Sequence, residues 1–160
     1  MARDYRAVTQ RIEALCAGED EPVTLMATVA CELFHAFDDF DWVGFYRVVA
    51  PGLMKVGPYQ GGHGCLVIPF ERGVCGAAAR EGRTQVVADV DAFPGHIACA
   101  ASTRSEIVVP VFGRTGDLLA VLDIDSDTPA AFDGRDAAAL ETLVQRVFAP
   151  RASARRAEIA

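Results

Sequence analysis

A chain of 160 residues with 51% hydrophobic and 23% charged side chains is long and apolar enough to bury its own core, which excludes disordered and fibrous classes. Fifteen basic against twenty-two acidic residues leave a net charge of −7, the wrong sign for a surface that binds nucleic acid or an anionic membrane. The opening residues, Met1 to Arg6, are polar with no apolar run behind them, and no stretch approaches the ~20 apolar residues of a membrane span, so a cytoplasmic location is expected.

In chain order, a short helix is expected to end near Ala17-Gly18, with the acidic run Glu19-Asp20-Glu21 as a solvated break. Leu25, Met26, Val29, Ala30, Leu33, Phe34 and Phe37 then fall on one helical face, closed by Asp38-Asp39. Trp42 to Val49 is aromatic and β-branched and reads as a strand; Pro51-Gly52 turns it into a second, Leu53 to Val56. Residues 57–64, with four glycines and a proline, read as a loop. A short strand at Leu66 to Ile68, an alanine-rich helix from Gly73 to Arg80 ending at Gly82, and a brief strand at Gln85 to Val87 lead into a long irregular stretch, 89–104. Glu106 to Phe112 and Leu118 to Asp125 form a hairpin through the Gly113-Arg-Thr-Gly116 turn. Asp133 is the expected N-cap of a last helix carrying Leu140, Leu143, Val144 and Val147. Helices flanking mostly antiparallel strands make an α+β fold, one domain over 1–150, with a loose Ala/Arg-rich tail at 151–160.

Five cysteines in a chain with no export signal are expected to rest as thiols. Cys16 and Cys31 lie on expected helices and read as space-filling residues. Cys65, Cys75 and Cys99 fall in loops or element ends, where buried filler is less natural. At a helix start, Cys75 would have its thiol pKa lowered by unpaired backbone N–H groups. His63, Cys65, Cys75, His96 and Cys99 are metal-ligand types, but they lack the close C-x2-C pairs of structural zinc modules. His96, three residues before Cys99, allows a Cys/His nucleophile pair. On the strand from Leu118, side-chain alternation places Leu118, Ala120, Leu122 and Ile124 on one face and Leu119, Val121, Asp123 and Asp125 on the other. Those two acids, with Glu106 opening the neighbouring strand, are either solvated strand ends or a partly enclosed patch for an ammonium group and a proton donor. The 57–64 loop matches no phosphate cradle.

The segments Asp41-Trp-Val-Gly-Phe-Tyr46, Gly57-Pro-Tyr-Gln-Gly61, Ile68-Pro-Phe-Glu-Arg-Gly-Val-Cys-Gly76, Phe93-Pro-Gly-His-Ile-Ala-Cys99, Ser105-Glu-Ile-Val-Val-Pro110 and Val121-Leu-Asp-Ile-Asp-Ser126 together resemble the free methionine-(R)-sulfoxide reductases of GAF-domain type. The three middle cysteines keep that family's separations of ten and twenty-four. The resemblance implies a GAF-like central antiparallel sheet with the N- and C-terminal helices packed on one side. It further implies that Cys99 attacks the sulfoxide sulfur, Cys65 resolves the product, and Cys75 is a third cysteine whose role is auxiliary or varies within the family. Glu106, Asp123 and Asp125 would surround the substrate's ammonium group and sulfoxide, and Trp42 and Tyr46 would line the pocket at the methyl end. The implied cycle runs through a sulfenic acid and an intramolecular disulfide, with thioredoxin or another dithiol as reductant and no redox cofactor or metal. A homodimer is compatible with the same resemblance. The approach Gly61-Gly-His-Gly64 to the first cysteine is richer in glycine than the family pattern, which would loosen that loop. A non-enzymatic GAF-type small-molecule or redox sensor is the alternative from a different class.

Overall fold

The computed structural model describes residues 2–150; the tail expected to be loose, 151–160, lies outside the described residues. Among them, helices α1 (Tyr5–Leu15), α2 (Pro22–Ala36), α3 (Gly73–Glu81) and α4 (Gly134–Phe148) accompany strands β1 (Trp42–Ala50), β2 (Leu53–Gln60), β3 (Val67–Pro69), β4 (Gln85–Val87), β5 (Ser105–Phe112) and β6 (Leu118–Ser126). One 3-10 turn, Val90–Ala92, interrupts the long middle loop. The strands form one antiparallel sheet in the order β3-β2-β1-β6-β5-β4, so the fold is α+β. No described helix is long and apolar enough to cross a membrane.

Strand alternation divides the sheet's two faces. Val43, Phe45, Ile107, Val109, Val111, Ala120, Leu122 and Ile124 face a core shared with α1, α2 and α4, where Leu33, Leu140 and Leu143 are wholly buried. The N- and C-terminal helices thus cover one side, as the pattern of apolar positions requires. Asp133 closes α4 by a capping box with Asp136, accepting from the backbone N–H groups of Arg135 and Asp136. The opposite face carries Trp42, Tyr46, Met54, Val108 and Val121 and is covered by α3. That helix is built from small residues, with Ala77, Ala78 and Ala79 buried, so it lies close on β5 and β6.

Two local expectations are corrected. β2 continues four residues beyond Val56, because a register shift opposite Gly44/Tyr46 accommodates the Gly57-Pro58 pair without needing a proline N–H in the ladder. Strict alternation also fails at the start of β6. The pairing steps from Val111–Ala120 to Phe112–Leu118, so Leu118 packs on the α3 side and Leu119 against the helical core, the reverse of the even alternation.

Arg3, polar and near the terminus, gives no hint in the sequence of its role. Its guanidinium donates to Asp136 at 2.7 Å and to the Ala131 carbonyl at 2.9 Å, pairs with Asp39, and stacks over the rings of Phe40 and Phe132. Asp136 is 6% exposed and also accepts from the Tyr5 hydroxyl. Arg3→Ala is therefore expected to destabilise the fold by about 3 kcal/mol, since it strands a buried carboxylate. Urea unfolding of the variant checks this; a loss below about 1 kcal/mol would make the clamp ornamental.

Candidate active site

On the α3 side of the sheet a cavity of about 30 Å³ is lined by Trp42, Tyr46, Cys75, Cys99, Glu106, Asp123 and Asp125, among others. Seven of the eight residues singled out from the sequence thus converge on one hollow. The eighth, Cys65, reaches it through a disulfide to Cys99, with Cα atoms 5.3 Å apart across 34 residues of sequence. The two cysteines come from loops on either side of α3: one follows the glycine turn after β2, the other sits between the 3-10 turn and β5. Their pairing removes two of the five ligands that a zinc reading of the sequence would need. Cys16 and Cys31 are free, and neither lines the cavity.

The floor is made by strand register. Glu106 on β5 pairs with Asp125 on β6, and Asp123 pairs with Val108, so three carboxyl groups share one face of adjacent strands. Glu106 and Asp123 are each 5% exposed, and Asp123 Oδ1 has no hydrogen-bond donor. Burial, and then Asp125, push Glu106 up to about 8; burial, and then Glu106, hold Asp123 well above the ordinary carboxylate range. Asp125 is raised by burial and by Asp123. No lysine or arginine lines the cavity among the described residues. Carboxyl groups so placed can accept a cation as anions or hold protons as neutral acids.

Cys75 corrects the expectation of a lowered pKa. It does sit in the first turn of α3, but it is 4% exposed, with Sγ 4.0 Å from Glu106 Oε1. Burial, followed by Asp123 and Glu106, pushes the thiol up, outweighing the helix terminus. His96 Nε2 lies 3.7 Å from Glu106 Oε2, too far for a hydrogen bond. Burial lowers His96 and raises Glu106, so both shifts favour the uncharged forms over an ion pair. His96 does not pair with Cys99, whose sulfur is engaged by Cys65.

The wall is aromatic. Trp42 stacks between Tyr46 and Tyr59, with ring centroids 5.8 and 5.3 Å away. Gly44, of the same parity as Trp42 and Tyr46, makes this possible: a Cβ there would lie 2.5 Å from Tyr59 Cβ and collide with the Trp42 ring. Gly64 has the same function in the loop, where a Cβ would come within 2.9 Å of both Trp42 and the Tyr46 hydroxyl. The Trp42 indole N–H donates to the Gly62 carbonyl at 2.8 Å. The glycine-rich approach to Cys65 is therefore seated on the aromatic wall instead of being loosened. A glycine between two aromatics of equal parity is the signal that exposes Gly44; the sequence alone did not single it out.

A GAF domain model matches residues 16–147. The chain is 36% identical over 143 residues to the free methionine-R-sulfoxide reductase of Escherichia coli, covering 89% of this chain and 86% of that protein. The crystal structure of free methionine-R-sulfoxide reductase from Neisseria meningitidis in complex with its substrate superimposes with a TM-score of 0.85 at 45% identity, over 92% of this chain and 90% of that one. This chain belongs to the GAF-domain free methionine-R-sulfoxide reductase family. A substrate complex of the Staphylococcus aureus fRMsr aligns with a TM-score of 0.84 and 38% identity, over 91% and 94% of the two chains. In this GAF domain the six-stranded sheet and α3 form the two sides of the hollow, and the two loops that carry Cys65 and Cys99 close it.

Proposed function

We infer that the protein reduces free L-methionine (R)-sulfoxide to L-methionine, an oxidoreductase reaction at sulfur carried by cysteine thiols. The observation that carries this reading is the Cys65–Cys99 disulfide on a cavity shared by two buried carboxyl groups, Glu106 and Asp123, and the half-buried Asp125, with no lysine or arginine lining it among the described residues. The acid floor suits the substrate's ammonium group, with the unpartnered Oδ1 of Asp123 as its first acceptor. The Trp42–Tyr46 wall suits the methyl end. Cys99, as thiolate, attacks the sulfoxide sulfur, while Glu106, protonated at neutral pH, gives its proton to the departing oxygen. The sulfur–oxygen bond of the substrate breaks as the protonated oxygen passes to the Cys99 sulfur and the transient sulfur–sulfur bond opens, so methionine leaves and Cys99 holds the oxygen as a sulfenic acid. The Cys65 thiol then displaces it as water, and the two sulfurs are joined.

A dithiol returns the disulfide to two thiols. We assign this role to thioredoxin. Supporting it, Cys65 directly precedes Leu66 and Val67, which are 73% and 48% exposed, and β3 is one of the two edge strands of the sheet. Attack at Cys65 frees Cys99 for the next turnover. Free thiols alongside a reducible disulfide fit a reducing cytoplasm. Changing Leu66 and Val67 together to aspartate is expected to lower thioredoxin-supported kcat/KM about tenfold. Turnover with a small synthetic dithiol should stay unchanged; equal losses with both reductants would move the docking surface elsewhere.

The defining assay measures methionine released from the R and S epimers of the free sulfoxide with a small dithiol. Conversion of the R epimer is expected. No methionine from either epimer would refute the reaction.

A further inference from the structure

We propose that Cys75, Glu106 and Asp123 form a binding site for a borderline-soft divalent cation such as Zn²⁺, which excludes the substrate's ammonium group while it is bound. Ion binding stands on the geometry alone; the competition rests on the function proposed above. One ligand atom from each residue lies within 4.8 Å of the others, and all three residues are buried. They are mounted on regular elements, the first turn of α3 and the paired strands β5 and β6, so the group is assembled before any ion arrives.

Two independent features point to a metal. Asp123 Oδ1 is buried and lacks any donor, so one oxygen of the cluster stands without a partner until a cation, ammonium or metal, reaches it. Beside it stands a sulfur, Cys75 Sγ, which accepts hydrogen bonds from an ammonium poorly but is a preferred zinc ligand. A tetrahedral ion at ~2.0–2.3 Å from its ligands would draw the three atoms to roughly 3.5 Å from one another, a shift side-chain rotations can make. The cavity of about 30 Å³ has room for a water as fourth ligand. Because Cys65 and Cys99 are joined to each other, the thiol of Cys75 stays available in the disulfide form.

The three ligand atoms come from a helix and two paired strands, so the ion is held by groups far apart in the sequence. Cadmium titration of the disulfide form, in a Cys16→Ser/Cys31→Ser background, provides the test. One equivalent is expected to bind, with an ultraviolet thiolate-to-cadmium charge-transfer band. Cys75→Ser should abolish the band, and Asp123→Asn should weaken binding about tenfold or more while keeping it. Absence of the band, or its persistence in Cys75→Ser with a native circular dichroism spectrum, would overturn the site. The titration contains no sulfoxide or dithiol, so it is independent of the turnover assay: a protein that binds cadmium but makes no methionine sinks the reductase reading alone.

Discussion

Cys99→Ser is expected to abolish methionine formation, whereas Cys65→Ser is expected to release about one methionine per chain and then stop. Both outcomes follow from the order of bond changes. Serine at 99 leaves a hydroxyl that is a far weaker nucleophile toward sulfoxide sulfur than a thiolate, so neither burst nor turnover is expected. With Cys65 replaced, the first step is untouched and the sulfenic acid has lost the partner 5.3 Å away, Cα to Cα, that would consume it. Rapid-quench measurement of methionine, with mass spectrometry of the chain, distinguishes the two variants. A sulfenic acid trapped on Cys65 in place of Cys99 would exchange their roles, and full turnover by Cys99→Ser would end the scheme.

Glu106→Gln is expected to cut kcat/KM by about 10²–10⁴ and at the same time make the ligand-free protein more stable at neutral and alkaline pH. Glu106 sits among buried acids, and its pKa of about 8 is raised first by burial and then by Asp125. The folded state therefore keeps this proton through a range where the unfolded chain has released it. Folding stability contributed by the group is present below the ordinary carboxylate pKa and is lost as pH rises toward about 8. Glutamine carries no such charge. The variant should gain on the order of 1–3 kcal/mol near pH 8 and converge with the native chain near pH 4. The alkaline limb of the pH–rate profile, set by loss of the Glu106 proton, should disappear along with most of the rate. Urea titrations at the two pH values, paired with initial rates, decide the matter. A variant less stable at both pH values would mean that Glu106 serves packing instead of chemistry.

The order of elements and the α+β class were legible because helix and strand periodicities are local properties of the chain. The same alternation put Trp42 with Tyr46 and Asp123 with Asp125, and strand pairing then carried those faces together. It failed where pairing steps out of register, at Leu118–Leu119 and at Gly57–Pro58, since a bulge depends on the partner strand and leaves no local mark. The nearness of Cys65 and Cys99 came from the family resemblance; no spacing rule yields it. Burial reversed the expected shift at Cys75, because a helix terminus is visible in sequence and three neighbouring carboxyl groups from other strands are not. Arg3 was invisible for a related reason: a polar residue near a terminus ordinarily faces water, and only the assembled fold shows its carboxylate and aromatic partners.

With its two loop sulfurs joined, the hollow has space for about two water molecules, far less than an amino acid of methionine's size. Product and disulfide therefore exclude one another. The amino acid departs before the chain is recharged, so double-reciprocal plots against sulfoxide at several reductant concentrations should run parallel, and accumulated methionine should not slow the recharging half-reaction.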